Sequence, residues 1–509
     1  MEGTPRYDLP REALIALILQ LQERLAVSEA RDREQALLLA EMTRRVEEQA
    51  RRIEELEQRN PTQRFEEAYS MRAEEKRQAD AQQDGQLKRP KKQKSPRRGR
   101  ISTAEKLALA THHEDVWPSE FSKEDCRLKY SRPVWRIIDG RAVRVAYHID
   151  AGPDGHVPQI PGVPKRSEFG REILVALAYQ HYVAGLPLDT VIEEFSFYWD
   201  LTLRKSQADA MLNRLAKEWL PEFDHLCQLL AVSAVVYADE TSWSIHSVWA
   251  FLSEKARLTI YGCRKDGETL AVLLKKDEFQ GILVSDDAAV YQGFNVAQKC
   301  WAHLLRKAIR LTLLKPLRTR YRTFLDALLD IYRRGKAIAA DKRLSEAGRR
   351  ARADQLVDAI CECAGDRCAD TSTPADDAER DFLNLTREIM RLLGEDELLT
   401  YVIHPAADGT NNESERGLRG AAQNRCTGQT SKTERGARRR TVIGSVLDSL
   451  RLSLPKLTLQ AVLAEINRWG HDGVSCFRRL VDALNLPPLR LPENVNSPLD
   501  ALVPLPDTG

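Results

Sequence analysis

Two acidic residues in this chain stand where a carboxylate would be aimed rather than merely solvated. Ala231-Val-Ser-Ala-Val-Val-Tyr-Ala238 is a nearly unbroken run of β-formers, as expected of a strand buried on both faces, and it delivers Asp239 at its end. Gly281-Ile-Leu-Val-Ser285 is a second such run and delivers Asp286, followed by Asp287. Adjacent strand ends can hold two carboxylates within reach of one divalent ion. Mg²⁺ takes oxygen ligands and keeps several waters, so a few rigid carboxylates suffice without a His or Cys cage. Two such ions, about 3.5–4 Å apart, stabilise both the entering and leaving oxygens when a water or a 3′-hydroxyl attacks a phosphodiester in line. A third carboxylate has to come from elsewhere in the chain.

The elements that must position these acids read as strand, strand, strand, helix, strand. Val248–Leu252 and Leu258–Tyr261 follow the first strand, and Asp266–Lys276 has helical character before the strand at 281–285. Carboxylates at the ends of the first and fourth strands predict an α/β ribonuclease-H-like core.

Four motifs then occur in order: Ala238-Asp-Glu-Thr-Ser-Trp243, Val284-Ser-Asp-Asp-Ala-Ala-Val-Tyr291, Cys300-Trp-Ala-His-Leu304 and Asn411-Asn-Glu-Ser-Glu-Arg416. Together they resemble the large transposase of the insertion-sequence-66 family, a DDE (Asp-Asp-Glu) transposase, from about residue 150 to about residue 470. By position the resemblance implies Asp239, Asp286 and Glu415 as catalytic, metal-holding acids. It implies cleavage at transposon ends and strand transfer into target DNA with Mg²⁺, for which Mn²⁺ can substitute, and small accessory proteins as possible partners. A helix starting near Asn411 would set Glu415 and Arg419 one turn apart on one face, with Glu413 on roughly the opposite side. Trp301 and His303 are expected on a helix beside the site, His303 supporting a ligand or touching DNA. Two departures stand out. Relatives usually have Gly-Tyr after the second acid where this chain has Asp287-Ala288, and many carry a cysteine zinc motif where this chain has only Cys126, so no zinc is expected.

The rest of the 509 residues divides by composition. Residues 11–59 lack Gly and Pro and keep one heptad register, apolar at eight of twelve a and d positions, which predicts a coiled-coil dimerisation arm. A flexible linker at 60–100 ends in eight cations within thirteen residues, among them Lys88, Arg89, Lys91, Lys92, Arg97 and Arg98. Such a run neutralises phosphates without reading bases. A small β-containing module is expected over 101–165, with Asp139-Gly140 as a hairpin turn. Residues 166–228 read as helix, turn, helix, the shape of a helix-turn-helix DNA reader, with Arg204 and Lys205 at the start of its third helix. The core is expected in two parts, 229–312 and 406–470, around an α-helical insertion at 313–405. Cys361, Cys363 and Cys368 in that insertion are expected as free buried thiols. After Glu415 the chain stays basic, and Arg416, Arg419, Arg425, Lys432 and Arg435 are candidates for DNA contact beside the site. The tail, 471–509, is Pro-rich and expected to be extended or disordered from 487.

Net charge is only +2, so placement of charge matters more than its sum. Nine scattered cysteines without a CxxC pair suit a reducing cytoplasm, no segment has the layout of a secretion signal, and no apolar stretch is long enough to span a membrane. The expectation is a self-associating, nucleoid-associated cytoplasmic protein acting on double-stranded DNA. The rival class is a decayed or domesticated relative that binds DNA without cutting it.

Overall fold

The computed structural model describes residues 101–369, 373–493 and 495–505. The expected coiled-coil arm and the basic run from Lys88 to Arg98 lie outside them.

Asp139 and Gly140 have φ of 49° and 76°. Two successive left-handed residues make the type I′ turn whose twist matches paired strands. They join β2 (Arg127–Ile138) to β3 (Arg141–Ala151), and β1 (His112–Val116) pairs in parallel on the other edge of β3. Val134, Val145, Tyr147 and Ile149 form this module's own core.

Beyond it come α1 (Arg171–Ala178), α2 (Leu188–Trp199), α3 (Lys205–Glu218) and α4 (Leu220–Ala231). Gly185-Leu-Pro187 separates the first two, as its glycine and proline predict. Ile173, Leu177, Leu212 and Phe223 of these helices share one continuous core with Val236, Trp249 and Ile260 of the central sheet. The strand expected from Ala231 starts only at Val235. Leu226, Leu229 and Leu230 are buried at helical spacing, so α4 claims the chain through Ala231 before the strand can begin.

The central sheet holds β4 (Val235–Ser242), β5 (Ser247–Leu252), β6 (Arg257–Cys263), β7 (Ile282–Ser285) and β8 (Ala297–Lys299), with α5 (Gly267–Leu273) between β6 and β7. Its order is β6-β5-β4-β7-β8; β4 to β6 are antiparallel, and β7 and β8 run parallel to β4. β8 was not foreseen, being too short to show a period.

From β8 the chain leaves into α6 (Trp301–Leu314), α7 (Thr319–Ala340), α8 (Glu346–Cys368) and α9 (Asp377–Gly394), which bury Phe324, Leu328, Leu356, Ile360, Phe382 and Ile389 in a separate core. It returns to the strand it left. Lys299 N–H donates to the Glu397 carbonyl (2.8 Å), Tyr401 N–H to Gln298 Oε1 (2.9 Å), and Thr400 Oγ1 to the Ala297 carbonyl (2.6 Å). An excursion of about a hundred residues thus closes on its own starting point, which is what lets a distant glutamate rejoin the first two motifs. The insertion's cysteines are free, but Cys361 is exposed and Cys363 and Cys368 are half-buried, correcting the expected burial. Leu356, Ile360 and Ala364, four apart, take the core-facing stripe of α8 and leave those sulfurs on its flanks.

The chain then forms α10 (Asn412–Cys426), α11 (Glu434–Ser453), α12 (Leu459–Asp472), α13 (Cys476–Ala483) and α14 (Pro498–Leu502). α11 closes the sheet at its β6 edge. The N–H groups of Arg257, Thr259 and Tyr261 donate to the side-chain oxygens of Ser449 (3.0 Å), Ser445 (3.0 Å) and Thr441 (2.9 Å). The spacings suit one another, since four helical residues rise about 6 Å and two strand residues about 6.7 Å. Replacing Ser445, which is fully buried, by Ala orphans the Thr259 amide. We expect a loss of about 1–3 kcal/mol, read as a lowered melting temperature; an unchanged melt would contradict the ladder. The tail is also docked, not free as its prolines suggested: Leu499, Leu502 and Val503 are buried, and Arg438 donates to the carbonyls of Leu499 (3.1 Å) and Val503 (2.7 Å). Among the described residues no helix is long and apolar enough to cross a membrane.

Candidate active site

Tyr237 lies opposite Val284 in the parallel pairing of β4 with β7. Two residues further on stand Asp239 and Asp286, which that register, continued past its last pair, would set level with each other. Strand periodicity would then put them on one face, and neighbouring strands lie about 4.8 Å apart. β7 ends at Ser285, so Asp239, which pairs across to Ala250 of β5, sits inside β4 but beyond the end of its β7 neighbour.

Burial is the main cause that pushes the Asp239 carboxyl up to about 7; the charges of Glu240, Asp286 and Glu415 add to it, against one hydrogen bond from the Glu240 N–H (3.0 Å). Among the described residues no cation pairs with Asp239. Asp286 accepts the Ala288 N–H (3.1 Å). Asp287 diverges from its neighbour and is bound by Arg391 of α9. Glu240, on the other face of β4, is neutralised by Lys265 and accepts the Tyr291 hydroxyl.

A closed chain of hydrogen bonds assembles the four motifs. The Cys300 N–H donates to the Ser285 carbonyl (2.9 Å), one residue before Asp286. The Asn411 N–H donates to Cys300 Sγ (3.2 Å), and Asn411 Nδ2 donates to the Ala238 carbonyl (2.8 Å), one residue before Asp239. Asn411 is fully buried and immediately precedes α10, so it fixes where that helix starts relative to both strands. Glu415, in the helix's first turn, takes a two-oxygen contact from Arg306 Nη2 on α6 (2.9 Å to each), with His303 Nε2 at 3.8 Å from Oε1. Glu413 points away and pairs with Arg257 of β6 (2.9 Å). Arg419 lies one turn further along the same helix, as expected, and is exposed. Arg306, from a neighbouring helix, is the cation that holds the Glu415 carboxylate.

The model of the family described as Transposase IS66 family matches residues 166–439, more than half of the chain. The chain belongs to that family. No curated protein matches it. Family membership makes this a transposase-family protein, with DNA as its partner and divalent metal as the family's general requirement.

The basic candidates of this IS66-family chain fall into different settings. Arg416, Arg419, Lys432 and Arg435 are exposed on α10, α11 and the loop between them. Arg416 Nε donates to the Asn412 carbonyl (3.2 Å). Arg425 reaches back to the Ser242 carbonyl (2.8 Å) and so ties α10 to the end of β4. Arg204 is exposed, and Lys205 pairs with Asp189 of α2 (2.6 Å) across an exposed surface. His303 is half-exposed, and its Nδ1 is buried without a hydrogen-bond partner. Sequence reasoning missed Arg306, the linking role of Asn411, and Lys299, a buried lysine held by the Tyr291 carbonyl (3.2 Å) and Glu397 (3.7 Å). For Arg306 a signal existed: it lies one helical turn after His303 in a segment whose apolar residues, Trp301, Leu304 and Ala308, mark the opposite face.

Proposed function

We propose that this protein cuts DNA at the ends of its element and joins the 3′-hydroxyls to target DNA, using Asp239, Asp286 and Glu415 as its DDE set on a ribonuclease-H-like core. The observation that carries the reading is the parallel pairing of Tyr237 with Val284, two residues before Asp239 and Asp286, together with the bond from Asn411, which precedes the helix of Glu415, to the Ala238 carbonyl. The β6-β5-β4-β7-β8 order, three antiparallel strands followed by two parallel ones, supports the fold assignment. The residues fit a pair of Mg²⁺ ions: they offer only carboxylate oxygens, and burial first, then the charges of Glu240, Asp286 and Glu415, hold the Asp239 carboxyl toward neutrality. When bound, such ions supply charge stabilisation to the entering and leaving oxygens of the phosphodiester. The chain's own part is positioning. Asn411 sets the height of α10, Arg306 holds the Glu415 carboxylate, and Lys265 with Tyr291 keeps Glu240 out of the ligand set.

The exposed cations Arg416, Arg419, Lys432 and Arg435, with His303 and the helical segment carrying Arg204 and Lys205, are the proposed track for double-stranded DNA. The basic run at Lys88–Arg98 adds contacts that carry no base sequence, and the heptad arm a route to dimers. Accessory proteins and a place beside the nucleoid in the cytoplasm complete the reading. The test is cleavage of a duplex carrying the element's own ends, with Mg²⁺ and with chelator. Cutting that needs the ion supports the proposal; binding without cutting, whatever ion or accessory protein is added, favours the DNA-binding rival.

A further inference from the structure

Glu415 takes part in two groupings. On one side are Asp239 and Asp286, the link there being the charge that Asp286 and Glu415 exert on Asp239. On the other are Cys300 and His303, whose ligand atoms, with a Glu415 oxygen, all lie within 4.8 Å of one another. The two clusters differ in chemistry. The first offers only hard carboxylate oxygens. The second offers a sulfur, an imidazole nitrogen and one carboxylate oxygen, a set that favours zinc, cobalt or copper over magnesium.

Local structure supports a built site. Cys300 immediately precedes α6 and His303 lies in its first turn, a spacing that turns both side chains toward the incoming α10. Cys300 is buried and its sulfur already accepts the Asn411 amide, the kind of outer hydrogen bond that steadies a metal-bound thiolate. The His303 Nδ1 has no partner despite burial, so the imidazole is not committed to a structural hydrogen bond. Arg306 contacts both Glu415 oxygens and can keep one while the other turns to a metal. A tetrahedral ion with bonds of about 2.0–2.3 Å holds its ligands roughly 3.3–3.8 Å apart. His303 and Glu415 close the remaining gap by rotamer shifts, both being partly exposed.

We propose that Cys300, His303 and Glu415 form a second, thiophilic metal site for a Zn²⁺-class ion, and that its occupation withdraws Glu415 from the DDE set and so represses cleavage. Binding releases the thiol proton to solvent and leaves the fourth position to water; no oxidation change is involved. The binding half stands on the cluster alone, whereas the repression half rests on the proposed role of Glu415.

The experiment uses Co²⁺ as a spectroscopic stand-in for zinc on the full chain. A thiolate-to-cobalt charge-transfer absorption is expected, displaced by Zn²⁺ but not by millimolar Mg²⁺. It should vanish in Cys300→Ser, weaken at least tenfold in affinity in His303→Gln, and survive in Asp239→Asn. Absence of the band in a wild-type chain with a normal melting profile overturns the site, as does a band kept in Cys300→Ser. Zinc should also slow Mg²⁺-dependent cutting by wild type at least tenfold more than by Cys300→Ser. Equal inhibition with the band present overturns repression alone, and a wild-type chain that fails to cut even without zinc is a failure of the DDE reading instead.

Discussion

An Asp239→Asn chain is expected to bind element-end DNA as tightly as wild type and to cut it at least a thousandfold more slowly. The substitution keeps shape and removes one anionic ligand. Ligand loss at a metal site that stabilises a phosphoryl transition state costs several kcal/mol, and about 4 kcal/mol corresponds to a factor near 10³. The same loss is expected for Glu415→Gln, whereas Glu413→Gln, which breaks only the pair with Arg257, should stay within about threefold of wild type. Single-turnover cleavage with a parallel binding titration checks all three. Equal losses at 413 and 415 would mean that the helix matters and the carboxylate does not.

The second large effect is a pH dependence with a definite sign. The Asp239 carboxyl sits at about 7 in the fold against its ordinary value of 3.8. The folded chain therefore holds a proton that the unfolded chain has lost across that interval, and stability falls as pH rises through it, by up to about 1.4 kcal/mol per pH unit. In chelator, Asp239→Asn should thus outlast wild type at pH 8, with the gap shrinking toward pH 5 by on the order of 2 kcal/mol. Divalent ion reverses the order. At pH 8 the ionised wild-type site is stabilised by mass action and the Asn variant is not. Thermal melts at the two pH values, with and without Mg²⁺, read this directly; a gap independent of pH would show that Asp239 titrates as an ordinary surface acid.

How much of this was legible in the sequence follows from the range of the forces involved. The apolar runs ahead of Asp239 and Asp286 marked buried strands, and the Asp139-Gly140 pair marked its hairpin, because burial and turn geometry act over a few residues. The start of β4 was misjudged where a helical stripe and a β-rich run overlap at Leu229–Ala234. Asn411, Arg306 and the return of the insertion onto β8 work through side-chain hydrogen bonds spanning about a hundred residues or more. Such bonds leave no period. The docked tail was hidden for the opposite reason: its prolines advertise extension, while three apolar residues, Leu499, Leu502 and Val503, decide its burial.

The central claim is that three distant acids converge on one pair of ions. It is tested most directly by anomalous scattering from manganese in crystals of the chain soaked with Mn²⁺. The account predicts density bounded by Asp239, Asp286 and Glu415, at metal–oxygen distances of roughly 2.0–2.2 Å, and its loss in Asp239→Asn. Manganese bound elsewhere while those three carboxylates stand apart would contradict it.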